Sequence, residues 1–372
     1  MSRWRLGSPA RPHWRASHPV RYGLTHVRIA LRQLAWVARH GRRLGGTGLR
    51  ELNAREAAKL TGVHAQFTFT DVELNRPRRD ANGYVRFDER ILQLMIRRPV
   101  PRLVVELTDK LAAKSFITER LHGQGLAAVA RAPETLQILD RMNAQAPPAA
   151  PLPFVLKVSH DSGGVWFVRD SDEWARVRKS RAPERHLRRT YGFEKGEWNY
   201  AFIRPRLFLE EMVEGTGGID YKVHCADGEP RLIEMIWDRH ASTKQALVTM
   251  DGERVQRRLS VEKVQTEPPE ASLGPQVLAR LAEVSAALAE GMPYVRVDCM
   301  ISGETVFVGE LTFFPKAGDH RTSDDAAIGR LVFGASGRWI HEWPSWMRPD
   351  LHLQTQPVTG RYRLLSDPIR SA

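Results

Sequence analysis

Alternating apolar and polar positions mark the most informative stretch of the chain, Met292 to Thr312 (MPYVRVDCMISGETVFVGELT). Tyr294, Arg296, Asp298 and Met300 fall on one face of a strand, with Val295, Val297 and Cys299 on the other. Ser302-Gly303 supplies turn chemistry, and Thr305 to Val308 returns as a β-branched and aromatic strand, so a β-hairpin is predicted. Asp298 and Glu310 then stand on neighbouring strands, and register decides whether they meet. A three-residue loop, Ser302 to Glu304, sets Arg296 opposite Glu310 with Asp298 on the same face; a two-residue loop splits them.

Other apolar runs read as strands: Phe154 to Val158, Val165 to Val168, Arg206 to Val213, Ile219 to Cys225 and Arg231 to Trp237, the last two joined at Asp227-Gly228. Helical spacing appears over His26 to Arg43 and Asn53 to Leu60. It recurs in a short segment capped by Asp88. A further helix runs from a cap at Thr108 or Asp109 to Leu121, with Ala113, Ile117 and Leu121 on one stripe. Asp170 and Glu173 make a capping pair for a helix over Trp174, and Leu273 to Glu290 is an amphipathic helix ended by Gly291. The Pro/Ala tract Ala144 to Pro153 is a connector.

The chain has 372 residues and a net charge of +13, unevenly placed. Residues 1–100 hold 20 Lys and Arg against 7 Asp and Glu, and the remainder is balanced. The basic excess thus belongs to an N-terminal extension suited to something anionic. The stretch 26–43 places arginines on one stripe and Val27, Leu31, Leu34 and Ala38 on another. It is suited to peripheral contact with an anionic membrane, or more plainly to packing on the main domain. No signature of a nucleic-acid-binding module is present, so no nucleic acid is expected. There is no apolar run of membrane-spanning length and no secretory h-region, and a cytoplasmic location is expected, peripheral to the inner membrane face if 26–43 docks there. Cys225 and Cys299 read as small buried hydrophobes.

Two carboxylates converging from adjacent strands repel unless a cation lies between them, and Mg²⁺ suits such oxygens and is normally shared with nucleotide phosphates. Solvated acids on an exposed hairpin are the plain alternative. Lys157 interrupts an apolar strand, which requires its ammonium to meet an anion. The small-residue loop Ser159-His160-Asp161-Ser162-Gly163-Gly164 follows and can bring backbone N–H groups onto a phosphate; an ordinary glycine hairpin with an edge lysine is the alternative. Lys110 reads as a surface lysine unless it reaches inward to a phosphate. His160 reads as a surface loop residue. Asp220, Lys222 and His224 share one strand face and read as a solvated sheet face.

In order, TDKLAAKSFI, FVLKVSHDSGG, RPRLFLEEMVE, DYKVHCADGEPRLIEMIWDR and MPYVRVDCMISGETVFVGELTFFPKAG resemble the TupA-like ATP-grasp family, over roughly residues 108–318. The resemblance implies an α+β ATP-grasp fold of two α/β lobes with nucleotide between them, over 101–330. A basic, partly helical extension (1–100) would precede it and a tail (331–372) follow. It implies ATP and Mg²⁺ as cofactors, with Lys110 and Lys157 on phosphates and the loop bearing Ser159, Ser162, Gly163 and Gly164 closing over them. Glu210 and the backbone around Glu211 would face adenine, Asp220 the ribose, and Arg239 the γ-phosphate. Asp298 and Glu310 would hold Mg²⁺ and Arg296 the transferred phosphoryl group. Thr312 stands where many ATP-grasp ligases have Asn, and still offers a hydroxyl oxygen.

The activity implied is amide formation between a carboxylate and an amine through an acylphosphate, on a small-molecule, glycan or peptide substrate, in surface polysaccharide or peptide decoration. An ATP-dependent phosphotransferase and a catalytically silent partner-binding protein are the alternatives. Trp339, Trp343 and Trp346 in the tail pack on the lobe or line an acceptor site.

Overall fold

The β-hairpin at Tyr294 forms as β10 (Tyr294–Ser302) and β11 (Thr305–Thr312), and the rest of a seven-stranded sheet is assembled on it. The computed structural model describes residues 86–96, 102–139, 150–189, 191, 197, 199–200, 203–214, 218–238, 242–260, 262–318, 320 and 324–334. The expected helices at 26–43 and 53–60, Arg239 and the three tail tryptophans lie outside these.

In the large sheet β10 lies between β11 and β6 (Asp220–Ala226). Beyond β6 come β7 (Glu229–Trp237), β8 (Lys244–Val248) and the short β9 (Val264–Gln265), while β1 (Ala130–Arg131) joins the other edge parallel to β11. Asp227 (φ 53°) and Gly228 (φ 83°) both take left-handed backbone between β6 and β7, as a two-residue primed turn requires. A second, four-stranded sheet has the order β2 (Thr135–Leu139), β5 (Leu207–Glu211), β3 (Phe154–Val158), β4 (Val165–Val168).

Each sheet gathers its own apolar cluster. Helix α6 (Pro275–Ala289) lays Leu281, Val284 and Leu288 into the larger one with Val223, Val295, Val297 and Leu311. A short 3₁₀ turn over Glu270–Leu273 precedes α6, which opens on Pro275 after Gly274, two residues later than the spacing predicts, because Pro at the first helical position needs no N–H partner. Helix α1 (Phe87–Ile96) and α7 (Asp325–Phe333) cover the Tyr294 end of the opposite face, where Phe87 meets His224, Tyr294 and Phe333. Asp88 is buried in this helix and accepts from His320 Nδ1 at 2.7 Å. Helix α2 (Arg102–Thr108) leads into α3 (Ala112–Gly123), which buries Ala113, Ile117 and Leu121 as the stripe predicts. The expected cap is absent: α3 starts after Leu111 with no side-chain cap, Thr108 ends α2, and Asp109 accepts from Leu111 N at 3.0 Å in the turn between the two helices.

The smaller cluster holds Phe154, Leu156, Val158, Leu207, Leu209 and Trp174. Trp174 comes from α4 (Ser171–Ser180), whose cap Asp170 accepts from Glu173 N at 2.7 Å while Glu173 accepts from Arg169 N. Helix α5 (Ala182–Leu187) follows and tethers the glycine loop.

Candidate active site

The hairpin closes with a two-residue turn, since Ser302 pairs with Thr305. By parity this turn alone would put Asp298 and Glu310 on opposite faces. A β-bulge corrects it: Cys299 pairs with Val308 and Asp298 with Glu310, leaving Gly309 without a partner. The expected three-residue loop is therefore absent, and Arg296 stands opposite Thr312, not Glu310. The two carboxylates meet directly.

Around them runs a ladder of alternating charge. In register across β11, β10, β6 and β7 stand Glu310, Asp298, Lys222 and Glu234. Arg296 donates to both oxygens of Asp298 (2.6 and 2.7 Å) and to the Thr312 hydroxyl (3.2 Å), and Lys222 donates to Asp298 from the other side. Burial alone would raise the Asp298 pKa; the charges of Arg296 and Lys222 outweigh it and hold the carboxyl down at about 2. Glu234 accepts from Lys263 at 2.5 Å and from Gln245. The face read as solvated is therefore buried: Lys222 exposes 12% of its side chain and His224 none. Asp220 opens β6 on the same face as Lys222.

The smaller sheet brings a second charged group. Lys157 meets its anion within the protein, donating to Glu210, which Lys114 also reaches at 2.7 Å. Glu210 is buried between these two ammonium groups. Glu211 is held by Arg131 through two bonds of 2.8 and 2.7 Å and accepts from Glu134 N. Lys110, also buried, spans both sheets: its Nζ donates to the Asp161 carbonyl at 2.7 Å and lies 3.9 Å from Glu310 and 5.7 Å from the Tyr200 ring.

The glycine loop is anchored at its base. Ser159 Oγ donates to Arg204 O at 2.9 Å and accepts from Arg206 N, so its hydroxyl faces backbone. Asp161 accepts from His186 of α5 and from Arg189 at 3.1 Å. His160, expected at the surface, is buried with Nε2 3.3 Å from Arg189 O, and burial lowers its pKa. Ser162 and Gly163 remain exposed at the tip, where Gly163 has φ 87°. A Cβ on Gly164 would come within 3.0 Å of Val158 and 3.1 Å of His186, so any other residue would have to displace these side chains by a few tenths of an ångström.

The structure thus gathers Arg296, Asp298, Glu310, Thr312 and Lys110 in one group and Lys157, Glu210 and Lys114 in another; Arg239 is outside the described residues. Lys114, Glu197 and Tyr200 were not singled out by sequence, and Lys222 was read only as part of a solvated sheet face. Lys114 had a signal, lying four residues after Lys110. Tyr200 donates to Glu310 Oε1 at 3.2 Å, and Tyr191 donates to Glu197 at 3.1 Å.

Asp298, Glu310 and Thr312 present only oxygens, on paired strands, and this donor set fits a hard divalent ion. Among the described residues no group of three or more His, Cys, Asp or Glu is placed to hold a metal alone. An ion here would take most of its ligands from phosphate and water, as Mg²⁺ does.

Two sheets, antiparallel but for the short edge strands β1 and β9, one with buried lysines beside a glycine loop and one with opposed carboxylates, are the architecture of an ATP-grasp fold. A family model described as TupA-like ATPgrasp matches residues 90–332, well over half of the sequence, and the chain belongs to that family. A search of curated proteins returned no match. Among solved structures it is similar to a D-alanine–D-alanine ligase from Bacillus anthracis complexed with ATP (17% identity, TM-score 0.31, 57% of this chain and 56% of that one). It is also similar to an L-amino acid ligase from Bacillus licheniformis (11%, 0.34, 68% and 49%) and a RimK domain ATP-grasp protein from Sphaerobacter thermophilus (16%, 0.33, 66% and 77%). The chain thus spans about half the length of the first two. No helix among the described residues is long and apolar enough to cross a membrane.

Proposed function

We propose that the chain is an ATP-dependent carboxylate–amine ligase working through an acylphosphate, in the decoration of a surface polysaccharide or peptide. The opposition of Asp298 and Glu310 across the bulged hairpin, flanked by Arg296 and Lys222, carries the reading. Asp298, Glu310 and Thr312 would hold Mg²⁺, which when bound would supply charge neutralisation at the phosphates. Lys110 and Lys157 are assigned to phosphates with the tip of the glycine loop, Ser162 to Gly164. Asp220 is assigned to the ribose, the Glu210–Glu211 backbone to adenine and Arg239 to the γ-phosphate.

The substrate carboxylate attacks the γ-phosphorus and ADP leaves; the amine then attacks the acyl carbon and phosphate leaves. Arg296 offsets charge on the transferring phosphoryl group, and its clamp on Asp298 keeps it aimed there. Positioning and charge stabilisation supply the rate, and no protein nucleophile is needed.

Calorimetry of ATP binding with Mg²⁺ on the wild type and on Asp298→Ala/Glu310→Ala tests the site. Binding that weakens at least tenfold in the double variant is expected, and ADP release should require both a carboxylate and an amine. Failure to bind ATP at millimolar concentration refutes the reading. ADP release with a phosphorylated product and no amine requirement would instead make the protein a phosphotransferase.

A further inference from the structure

Beside Glu310 lies a group of side chains to which the proposed nucleotide and metal site assigns no role. Glu197 is 5% exposed and accepts from the Tyr191 hydroxyl at 3.1 Å. The Tyr191 and Tyr200 rings meet edge-to-face at 5.0 Å, and the Tyr200 hydroxyl donates to Glu310. Asn199, 1% exposed, donates from Nδ2 to Thr108 Oγ1 at 2.8 Å. The Thr108 hydroxyl proton is already given to Val104 O at 2.6 Å, so the Asn199 amide cannot be turned round. Its oxygen is left buried without a donor among the described residues. Lys110 and Arg189 already stand over the Tyr200 and Tyr191 rings, at 5.7 and 5.4 Å, so it is the buried carboxyl and the acceptor oxygen lacking a donor that call for a group with several N–H bonds.

We propose that Tyr191, Glu197, Asn199 and Tyr200 form the subsite of the attacking amine, bound as an ammonium ion, and that Glu197 takes its proton. The proposal rests on the ligase reading and names the second substrate's chemistry. The step balances. R–NH₃⁺ gives one proton to the Glu197 carboxylate, leaving R–NH₂ and a neutral acid. The nitrogen lone pair forms the C–N bond as the acyl C–O bond breaks toward phosphate, and the second N–H proton leaves with phosphate. The neutral acid is the form that burial favours: desolvation pushes Glu197 up to about 8, with the Tyr191 hydrogen bond acting against it. Glu310 raises it further, while Arg296 and Lys110 lower it. A bound ammonium would add an opposite charge and make the carboxylate the stable form, which is the state needed to accept a proton.

The test follows the Glu197 carboxyl by carbon-13 NMR in the full chain, assigned by Glu197→Gln. Ethylammonium chloride serves as the probe, against sodium chloride at equal ionic strength. A midpoint that falls by about one unit with ethylammonium, and not with sodium, is expected. A midpoint that moves equally with both salts overturns the subsite. Should Glu197→Gln fail to fold, Tyr191→Phe gives the assignment instead, because loss of the hydroxyl donor must raise the same midpoint. ATP binding measured in parallel separates the two readings. Intact binding with no specific shift refutes the subsite and leaves the ligase; a specific shift without ATP binding supports the cation site and refutes the ligase.

Discussion

Asp298→Asn removes one charge from the centre of the ladder and keeps the shape of the side chain. Two cations, Arg296 and Lys222, then lose their shared anion in a place where neither is well solvated. Breaking a buried pair costs about 3–5 kcal/mol, and Glu234, opposite Lys222, puts the loss at the lower end, about 3 kcal/mol. The pH dependence changes as well. The folded pKa of Asp298 is depressed from 3.8 to about 2, so the unfolded chain takes up the proton more readily. The stability this gives is complete above the unfolded value and is lost as pH falls through the folded one. It amounts to roughly 2 kcal/mol. Urea unfolding followed by tryptophan fluorescence at stepped pH measures it. The wild type should lose stability more steeply than the variant from about pH 5 to pH 2. Parallel curves for the two proteins would refute the assignment of that charge to the fold.

Deleting Gly309 should leave the fold and ATP binding in place. It removes the bulge alone: Glu310 then follows Val308 directly, and Asp298 still pairs with Glu310 and Val297 with Leu311. ATP affinity lost together with the circular dichroism signal would refute this reading of the register. Gly309→Ala should likewise be tolerated within about 1 kcal/mol, because a Cβ there meets nothing nearer than the Asp298 carbonyl at 3.8 Å. Lys157→Met leaves Glu210 to Lys114 alone; a loss of about 2 kcal/mol in chemical denaturation and at least a tenfold weaker ATP affinity by calorimetry are expected. Asp170→Ala removes the cap of α4 and should cost about 1 kcal/mol with ATP affinity unchanged.

The strands and the α3 and α4 helices were legible because each is coded locally, by alternation, by helical spacing or by a cap. The anion beside Lys157 was legible too, since a lysine in FVLKV demands one, although it is Glu210 of the same sheet. The bulge left one sign in the sequence, the glycine interrupting VFVGELT, which breaks the alternation at the point where register shifts. Lys222 could not be assigned in the same way. Its partner Asp298 is 76 residues away and is reached only because β10 lies beside β6, a matter of strand order that no local pattern states. Glu197 and Tyr200 sit in GFEKGEWNY, which has no periodicity to read.

Lys157, Lys114 and Lys222 each already hold a carboxylate. An arriving anion therefore enters by displacement. A chloride or a single phosphate can unseat one carboxylate at a time, and each exchange returns about as much as it removes. A polyphosphate reaching several ammonium groups at once gains from effective concentration, since its later contacts are intramolecular. In the proposed nucleotide site the resident carboxylates would act as place-holders that set a threshold of valency. They would keep the lysines from standing as bare charges when no nucleotide is bound, and would discriminate by number of phosphates without any group that counts them.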